Sequence, residues 1–402
     1  MTPTPSAELY RKSEAANRHE PEVLHHLRKN DGLQVLRAVA ALLVVHRHAI
    51  EVVRANQLAK SPGSYALDKF GACGVDIFFA ISGFILSSVI LRTSPETPRL
   101  AIDFLVRRYI RIFPIYWIMS LFFLLVALKQ KLGVLTLTWV FESYLLLPTT
   151  GYPLRAPLLL FGWTLVFEMF FYHVLTLNLS FGKRSVVTRT ICSIALLVAI
   201  GAALDFKRPL LILIANPINI EFAMGCCIAL VYARFGRRPL HGAALMLSGG
   251  VILASTVFFG YGKVDDAAFT LNGQLSWARV LLWGIPAAML TAGFALRPAQ
   301  IKSLFGRLLV YLGDASYSIY LTSLITLFFV ARFLHVVAAL PTNLVITLVI
   351  LLVALVGAAS YTMIERPMTR FVTEKYLRAT AHSELRTGRH RRSDFPRTVE
   401  SE

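Results

Sequence analysis

The feature that most constrains this chain is a series of long apolar segments that carry no charged residue. Residues 344–356, for example, read Leu-Val-Ile-Thr-Leu-Val-Ile-Leu-Leu-Val-Ala-Leu-Val. About 20 such residues cross a bilayer as a helix, because only helices and closed barrels satisfy their backbone groups there. Only 16% of the 402 residues are charged, against about 25% in soluble domains. The sequence therefore predicts an all-α membrane protein with a polytopic helix bundle.

About ten transmembrane helices are predicted, separated by polar loops. The loops on one side hold more Lys and Arg, and the positive-inside bias identifies that side as cytoplasmic. Both termini are then cytoplasmic, provided that the apolar stretch 133–148 is a loop or re-entrant segment rather than a further span. The predicted spans are residues 34–54, 73–91, 111–128, 157–181, 190–204, 209–233, 241–260, 277–296, 308–334 and 342–364.

Polar tails flank the predicted membrane domain. Residues 1–32 are predicted to form a cytoplasmic arm, residues 33–367 the transmembrane domain, and residues 368–402 a basic, disordered cytoplasmic tail. The net charge of +18 fits basic loops near anionic headgroups, so membrane lipids are expected as partners and nucleic acid is not. The four cysteines have no metal-ligand spacing, and no metal is expected.

The first predicted span carries ionisable side chains, which are costly within a membrane and usually functional. Arg37 and His48 are eleven residues apart, so they share one stripe of a helix and lie about 16 Å apart along its axis. The predicted orientation puts Arg37 near the cytoplasm and His48 in the outer half. Asp76 enters the second span at nearly the depth of His48 and could orient its imidazole. A helix cap is the alternative role for Asp76.

Two further groups of polar residues point to chemistry within the membrane. Arg108 and Arg111 are three residues apart, so they lie on one helical face, where guanidinium groups can clamp phosphate. Ordinary positive-inside anchoring explains them equally well. Glu168 lies near the centre of the fourth span, where an unpaired acid would be costly. It could support a reacting group if it pairs with a basic side chain.

The sixth predicted span is broken at Pro217. Broken helices at membrane depth normally line a cavity, so Asn216 and Glu221 are expected to face a substrate. An outer histidine, buried acids and an inner arginine cluster fit two classes of protein. One is an enzyme that transfers a group from a phosphorylated cytoplasmic donor. The other is a proton-coupled transporter of a polar solute or glycan.

Six segments, in order, resemble motifs of the membrane acyltransferase-3 family, bacterial O-acyltransferases of surface and secreted polysaccharides. The resemblance covers about residues 33–367 and is closest to the rhizobial, succinoglycan-type exopolysaccharide branch. The motifs are Arg37-x10-His48, Gly74-Val75-Asp76-Ile77-Phe78-Phe79, Arg108-x-x-Arg111, Trp163-x-Leu165-x-x-Glu168-x-x-Phe171-Tyr172, Gly313-x-x-Ser316-Tyr317-Ser318 and Glu365-Arg366-Pro367.

The resemblance implies a multi-pass O-acetyltransferase of the bacterial inner membrane. Its donor would be acetyl-CoA, as a co-substrate, and its acceptor a sugar hydroxyl of a polysaccharide or a lipid-linked oligosaccharide. The implied site residues are His48, Asp76 and Glu168 for catalysis, Arg37, Arg108 and Arg111 for the donor, and Trp163, Tyr172, Asn216, Glu221, Ser316 and Tyr317 for substrate binding.

One position departs from the family pattern. Ser323 follows the Tyr317–Thr322 segment, where the family commonly has a histidine. If that histidine binds the acceptor or is structural, Ser323 changes the specificity. If it is catalytic, this chain is slow or inactive.

Overall fold

The computed structural model describes residues 30–56, 69–93, 99–131, 135–204, 206–258, 263–337 and 339–386. The predicted N-terminal arm up to residue 29 and the predicted tail beyond residue 386 lie outside these ranges. Within them the chain forms helices and no strand, which confirms the all-α prediction. Helices satisfy every backbone group within one segment, as a membrane interior requires.

The helices of the described chain are numbered here in chain order. They are α1 (Asp31–Ala55), α2 (Gly74–Arg92), α3 (Leu100–Gln130), α4 (Leu137–Tyr144), α5 (Gly162–Ser180), α6 (Val186–Ala203), α7 (Pro209–Ile214), α8 (Ile220–Phe235), α9 (Pro239–Ser255), α10 (Ala267–Leu271), α11 (Ser276–Arg279), α12 (Ile285–Leu296), α13 (Leu304–Asp314), α14 (Ser316–Phe333), α15 (Thr342–Ser360) and α16 (Arg366–Arg386). π-Helical turns join α11 to α12 and α15 to α16.

Eight helical stretches in the described part of the chain are long and apolar enough to cross a membrane. They coincide with eight of the ten predicted spans. The remaining two predictions, 34–54 and 157–181, correspond to α1 and α5, whose 25 and 19 residues include several polar side chains. The eight stretches are Lys69–Arg92, Leu100–Gln130, Val186–Ala203, Pro209–Phe235, Pro239–Phe258, Ser276–Leu296, Ser316–Val337 and Thr342–Thr380.

The span predicted at 308–334 is confirmed from Ser316 onward, but its start is wrong, because the chain bends between α13 and α14 at Ala315. Just before the bend, Gly313 lies against the backbone of α1. A Cβ at Gly313 would stand 2.0 Å from the carbonyl oxygen of Gln34. Only glycine permits this approach, and glycine also weakens a continuous helix.

The ambiguous stretch 133–148 is not a span in its described part, since α4 has only 8 residues. The Thr136 side chain accepts the N–H of Trp139 and caps this short helix. From α3, the Tyr116 hydroxyl donates to the carbonyl oxygen of Ser143 at 2.7 Å. The segment is therefore a loop held against the bundle, which is the alternative on which the predicted orientation depends.

The start of the predicted disordered tail is helical instead, as Arg366–Arg386. The Tyr376 hydroxyl donates to Oδ1 of Asp103 on α3 at 2.6 Å. Glu374 and Arg378 have the i, i+4 spacing that favours a polar helix. The prediction of disorder is wrong here because it rested on composition, whereas α16 continues from α15 and packs on α3.

Helices α2 and α8 cross at a pair of glycines. A Cβ on Gly83 would stand 2.2 Å from the carbonyl oxygen of Phe222, and one on Gly225 would stand 2.2 Å from that of Ala80. Small residues allow helix backbones to approach closely in a membrane. This close crossing holds two buried acids near each other, Asp76 at the start of α2 and Glu221 at the start of α8.

Candidate active site

His48 lines a cavity of about 440 Å³ at the end of the bundle that we predict to face outward. Its Nδ1 lies 2.6 Å from Oε2 of Glu51, less than one turn further along α1. An ionised carboxylate only accepts hydrogen bonds, which assigns the proton of the neutral imidazole to Nδ1. The Phe161 ring packs on the imidazole with 4.4 Å between ring centroids. His48 thus keeps Nε2 available as a proton acceptor.

The cavity next to His48 combines aromatic faces with charged side chains. Phe161, Trp163 and Tyr320 supply the aromatic surface, and Lys263 and Asp266 lie at its edge. The Tyr320 hydroxyl donates to the backbone carbonyl oxygen of Phe161 at 3.0 Å, which fixes the Tyr320 ring. Ionisable side chains make up about half of the wall, and polar groups that converge on an aromatic surface can fix the orientation of a polar ligand.

Arg47 connects α1 to the loop that follows α9. Its Nη1 lies 2.6 Å from Oδ2 of Asp265, and its Nη2 lies 2.9 Å from Oε1 of Glu51. Lys69, before α2, lies 3.9 Å from the other oxygen of Asp265. These ion pairs hold the loop over the cavity and fix the carboxylate that contacts His48.

Asp76 does not contact His48, contrary to the expectation that it orients the imidazole. Its Oδ1 and Oδ2 accept from Nε and Nη2 of Arg279, at 2.9 and 2.8 Å. The two side chains are 0% and 1% exposed. A buried carboxylate requires such a partner, and Arg279 is 203 residues away in the chain. Sequence spacing could not reveal this pair.

Every N–H group of Arg279 has an acceptor within hydrogen-bonding distance. Besides Asp76, these acceptors are the carbonyl oxygens of Ala72 at 3.1 Å and Val264 at 3.3 Å, and the Thr270 hydroxyl at 3.5 Å. The guanidinium also lies 5.7 Å from the centroid of the Trp163 ring. Arg279 therefore supports the cavity wall, with its donors already used within the protein.

Glu221 is fully buried beside the pair formed by Asp76 and Arg279. Its carboxyl group lies within hydrogen-bonding range of that of Asp76, and no N–H or hydroxyl donor of the described residues reaches either of its oxygens. Gly284 gives it space, since a Cβ there would stand 2.7 Å from Oε1. Glu221 does not line the cavity next to His48.

Asn216 shapes the chain break that the sequence predicts at Pro217. Its Oδ1 accepts the N–H of Ile218, and its Nδ2 donates to the carbonyl oxygen of Thr270 at 2.7 Å. The break between α7 and α8 is confirmed. The Asn216 amide serves the backbone there and does not line the cavity.

A second group of polar side chains, the inner cluster, lies toward the predicted cytoplasmic side. Its arginines come from α1 and α3, and its acids from α5 and the π-helical turn before α16. They lie within electrostatic range of one another. The inner cluster consists of Arg37, Arg108, Arg111, Glu168 and Glu365.

Arg37 and Glu168 are both held in place within the inner cluster. Nη2 of Arg37 donates to the Ser316 hydroxyl at 2.9 Å. Glu168 accepts a hydrogen bond from the Tyr172 hydroxyl, one turn later on α5, and one from Ser82 at 3.3 Å. The structure therefore brings together two separate pairs of predicted site residues: Arg37 with Ser316, and Glu168 with Tyr172.

The two arginines that α3 contributes to the inner cluster differ in their surroundings. Nε of Arg108 is buried without a hydrogen-bond partner among the described residues. Arg111 lies near Glu365, whose Oε2 accepts from the Ser318 hydroxyl at 2.6 Å. The Tyr317 hydroxyl donates to the backbone of α3. An unsatisfied guanidinium N–H is a ready donor for an anionic ligand.

The cavity and the inner cluster are joined along the same two helices. On α1, Arg37 contacts the inner cluster and His48 lines the cavity. On α14, Ser316 contacts Arg37, and Tyr320, one turn later, lines the cavity. Ser323 is fully buried on α14, and its hydroxyl donates to the carbonyl oxygen of Tyr320 at 2.6 Å.

Three residues of this arrangement were not predicted from the sequence. Glu51 could have been found, because it lies three residues after His48 and so shares its helix face. Arg279 and Asp265 meet α1 and α2 only through tertiary folding, and no spacing signal marks them.

A polytopic bundle of long apolar helices, with a cavity lined by His48 and an inner cluster that holds three arginines, defines an integral membrane protein. The chain belongs to the acyltransferase-3 family, since the family model described as "Acyltransferase domain" matches residues 30–363. It is therefore a multi-pass membrane acyltransferase.

Two relatives of known sequence are similar to this chain. One is the exopolysaccharide production protein ExoZ of Rhizobium meliloti (strain 1021), 31% identical over 306 residues, which cover 75% of this chain and 90% of ExoZ. Another is nodulation protein 10 of Rhizobium leguminosarum bv. viciae, 27% identical over 244 residues, which cover 54% of this chain and 64% of that protein. No solved structure matches at a significant level.

Proposed function

We propose that this acyltransferase moves an acetyl group from cytoplasmic acetyl-CoA to a sugar hydroxyl, in the inner membrane of a bacterium. The acceptor is an exopolysaccharide or its lipid-linked repeat unit. The observation that carries the proposal is the course of α1, on which Arg37 reaches the inner cluster and His48 lines the cavity. The similarity to ExoZ, named for exopolysaccharide production, supports the class of acceptor.

The inner cluster is the proposed binding site for the donor. CoA carries phosphate groups, and guanidinium forks match phosphate oxygens. The buried Nε of Arg108, without a partner in the described chain, fits an anionic ligand that binds there. Arg111 and Arg37 add positive charge within electrostatic range.

The cavity next to His48 is the proposed site for the acceptor. Its volume of about 440 Å³ is in the range of sites for small ligands, and one sugar residue fits within it. The Trp163 ring offers an aromatic surface on which a sugar can stack. The charged groups at its edge can bind hydroxyls.

His48 is the proposed general base of the transfer. Its Nε2 takes the proton of the acceptor hydroxyl as the oxygen forms an ester bond to the acyl carbon. The bond between the acyl carbon and sulfur breaks, and the CoA thiolate leaves with the electron pair. The thiolate then receives the proton held by His48. The residues alone also allowed a proton-coupled transporter. Membership of an acyltransferase family supports the enzyme and gives no support to the transporter.

The proposal is tested by proton NMR of secreted polysaccharide from a deletion strain complemented with different variants. We expect the O-acetyl signal to be lost on deletion, restored by the wild-type chain, and not restored by His48→Ala. His241→Ala is the matched control, because that histidine is exposed at the start of α9. Unchanged acetylation in every strain would remove polysaccharide acetylation as the function.

A further inference from the structure

We propose that Glu51 is a positioning residue, which fixes the tautomer and the orientation of His48 for acyl transfer. The proposal rests on the function proposed above, in which His48 acts as the base. Glu51 lies three residues after His48 on α1, and Oε2 of Glu51 is 2.6 Å from Nδ1 of the imidazole. A carboxylate at this nitrogen directs the lone pair of Nε2 away from itself.

The carboxylate of Glu51 is itself held from its other side. Its Oε1 accepts from Nη2 of Arg47 at 2.9 Å, and Nη1 of the same guanidinium binds Asp265 at 2.6 Å. The Arg47 and Asp265 side chains are only 12% and 11% exposed. Both oxygens of Glu51 thus have a defined partner, and the chain His48, Glu51, Arg47, Asp265 links α1 to the loop over the cavity.

The other acids around the cavity have different partners. Asp76 uses both oxygens on Arg279. Asp265 binds Arg47, and Asp266 accepts the N–H of Ala268 as the cap of α10. Glu51 is therefore the carboxylate that the described structure places on His48.

Two contacts restrict the imidazole. Glu51 holds Nδ1, and the Phe161 ring covers one face of His48 at 4.4 Å. When Nε2 has taken the proton of the acceptor, the ionised carboxylate of Glu51 stabilises the imidazolium. The base then starts each transfer in the right tautomer and ends the proton transfer next to a negative charge.

The test uses purified full-length protein in lipid, with acetyl-CoA and chemically de-O-acetylated secreted polysaccharide as substrates. We expect Glu51→Leu to lower kcat by about 10²-fold, with KM for both substrates within about twofold of wild type. Glu51→Gln keeps an acceptor for the N–H at Nδ1 but has no charge, so we expect its kcat to lie between those of Glu51→Leu and the wild type. Glu51→Asp recovers part of the loss. Asp103→Asn is the matched control, because this acid too accepts a side-chain hydrogen bond but lies on α3, away from the cavity lining.

A kcat of wild-type size in Glu51→Leu would overturn the proposal. So would a rise in KM at unchanged kcat, because that result assigns Glu51 to substrate binding. Glu51 is 42% exposed, so we expect its variants to fold. Monodisperse elution in detergent checks that they do.

Nitrogen-15 NMR of histidine-labelled protein gives a readout that needs no substrate. The His48 signals are assigned by their loss in His48→Gln. We expect a protonated Nδ1 and an unprotonated Nε2 in the wild type, and a mixture of tautomers in Glu51→Leu. A wild-type His48 with its proton on Nε2 would overturn the proposal. The expected tautomers in a protein that acetylates no polysaccharide would support the pair and reject the proposed acceptor.

Discussion

Asp76 binds Arg279 through two parallel hydrogen bonds of 2.9 and 2.8 Å, at the junction of α2 and α11. The same guanidinium holds the backbone at Ala72 and Val264. This buried ion pair thus joins three parts of the chain: the start of α2, the loop that follows α9, and helix α11. Together these parts form a wall of the cavity. Its primary role in the structure is architectural.

Removal of Asp76 should therefore reduce stability. Asp76→Ala takes from the buried Arg279 the carboxylate that binds two of its N–H groups and leaves only Glu221 as an acid beside it, and we expect a loss of about 3–5 kcal/mol in the free energy of unfolding. Thermal unfolding in detergent measures the loss, and Asp103→Ala, which removes an acid that is not fully buried, is the control. If Asp76→Ala unfolds like the wild type yet has no transferase activity, Asp76 belongs to the chemistry and not to the wall.

The fold could be predicted largely from local patterns. Apolar runs of about 20 residues predict spans wherever they occur, and Pro217 predicts the break before α8. Two features depended on tertiary contacts and were missed. The bend at Ala315 follows from the approach of Gly313 to α1, and helix α16 is supported by α3.

The site could be predicted only where its residues share one helix. The periodicity of α1 places Arg37 and His48 on one stripe of the helix. In the structure, Arg37 contacts the inner cluster and His48 lines the cavity. Asp76 was assigned to His48 by similar depth alone, because its partner Arg279 is far away in sequence. Depth in a membrane does not fix which helices are neighbours, so pairs between helices could not be inferred.

The crossing of α2 and α8 should depend on the absence of a side chain at Gly83. In Gly83→Ala the new Cβ would stand 2.2 Å from the carbonyl oxygen of Phe222, so the two helices must separate. We expect a marked fall in the yield of monodisperse protein. Gly250→Ala is the matched control, because a Cβ there meets nothing within 4 Å. Equal yields of the two variants would show that the helices can move apart at little cost.

Ser323 should be replaceable without loss of activity. Its hydroxyl donates to the carbonyl oxygen of Tyr320 on its own helix and does not line the cavity. Such a local bond adds little to a helix, so we expect Ser323→Ala to keep acetyl transfer within about twofold of wild type. The measurement is the initial rate with acetyl-CoA and de-O-acetylated polysaccharide. A tenfold loss would instead place the hydroxyl in the reaction.

The inner cluster should determine the affinity for the donor. Arg108→Lys keeps a positive charge but loses the planar fork, and we expect KM for acetyl-CoA to rise about tenfold while KM for the polysaccharide stays unchanged. Arg111→Lys should act in the same direction. Arg307→Lys, at an exposed arginine of α13, controls for the substitution itself. A fall in kcat at unchanged KM would move Arg108 from donor binding to the chemical step, because only an interaction that strengthens in the transition state has that effect.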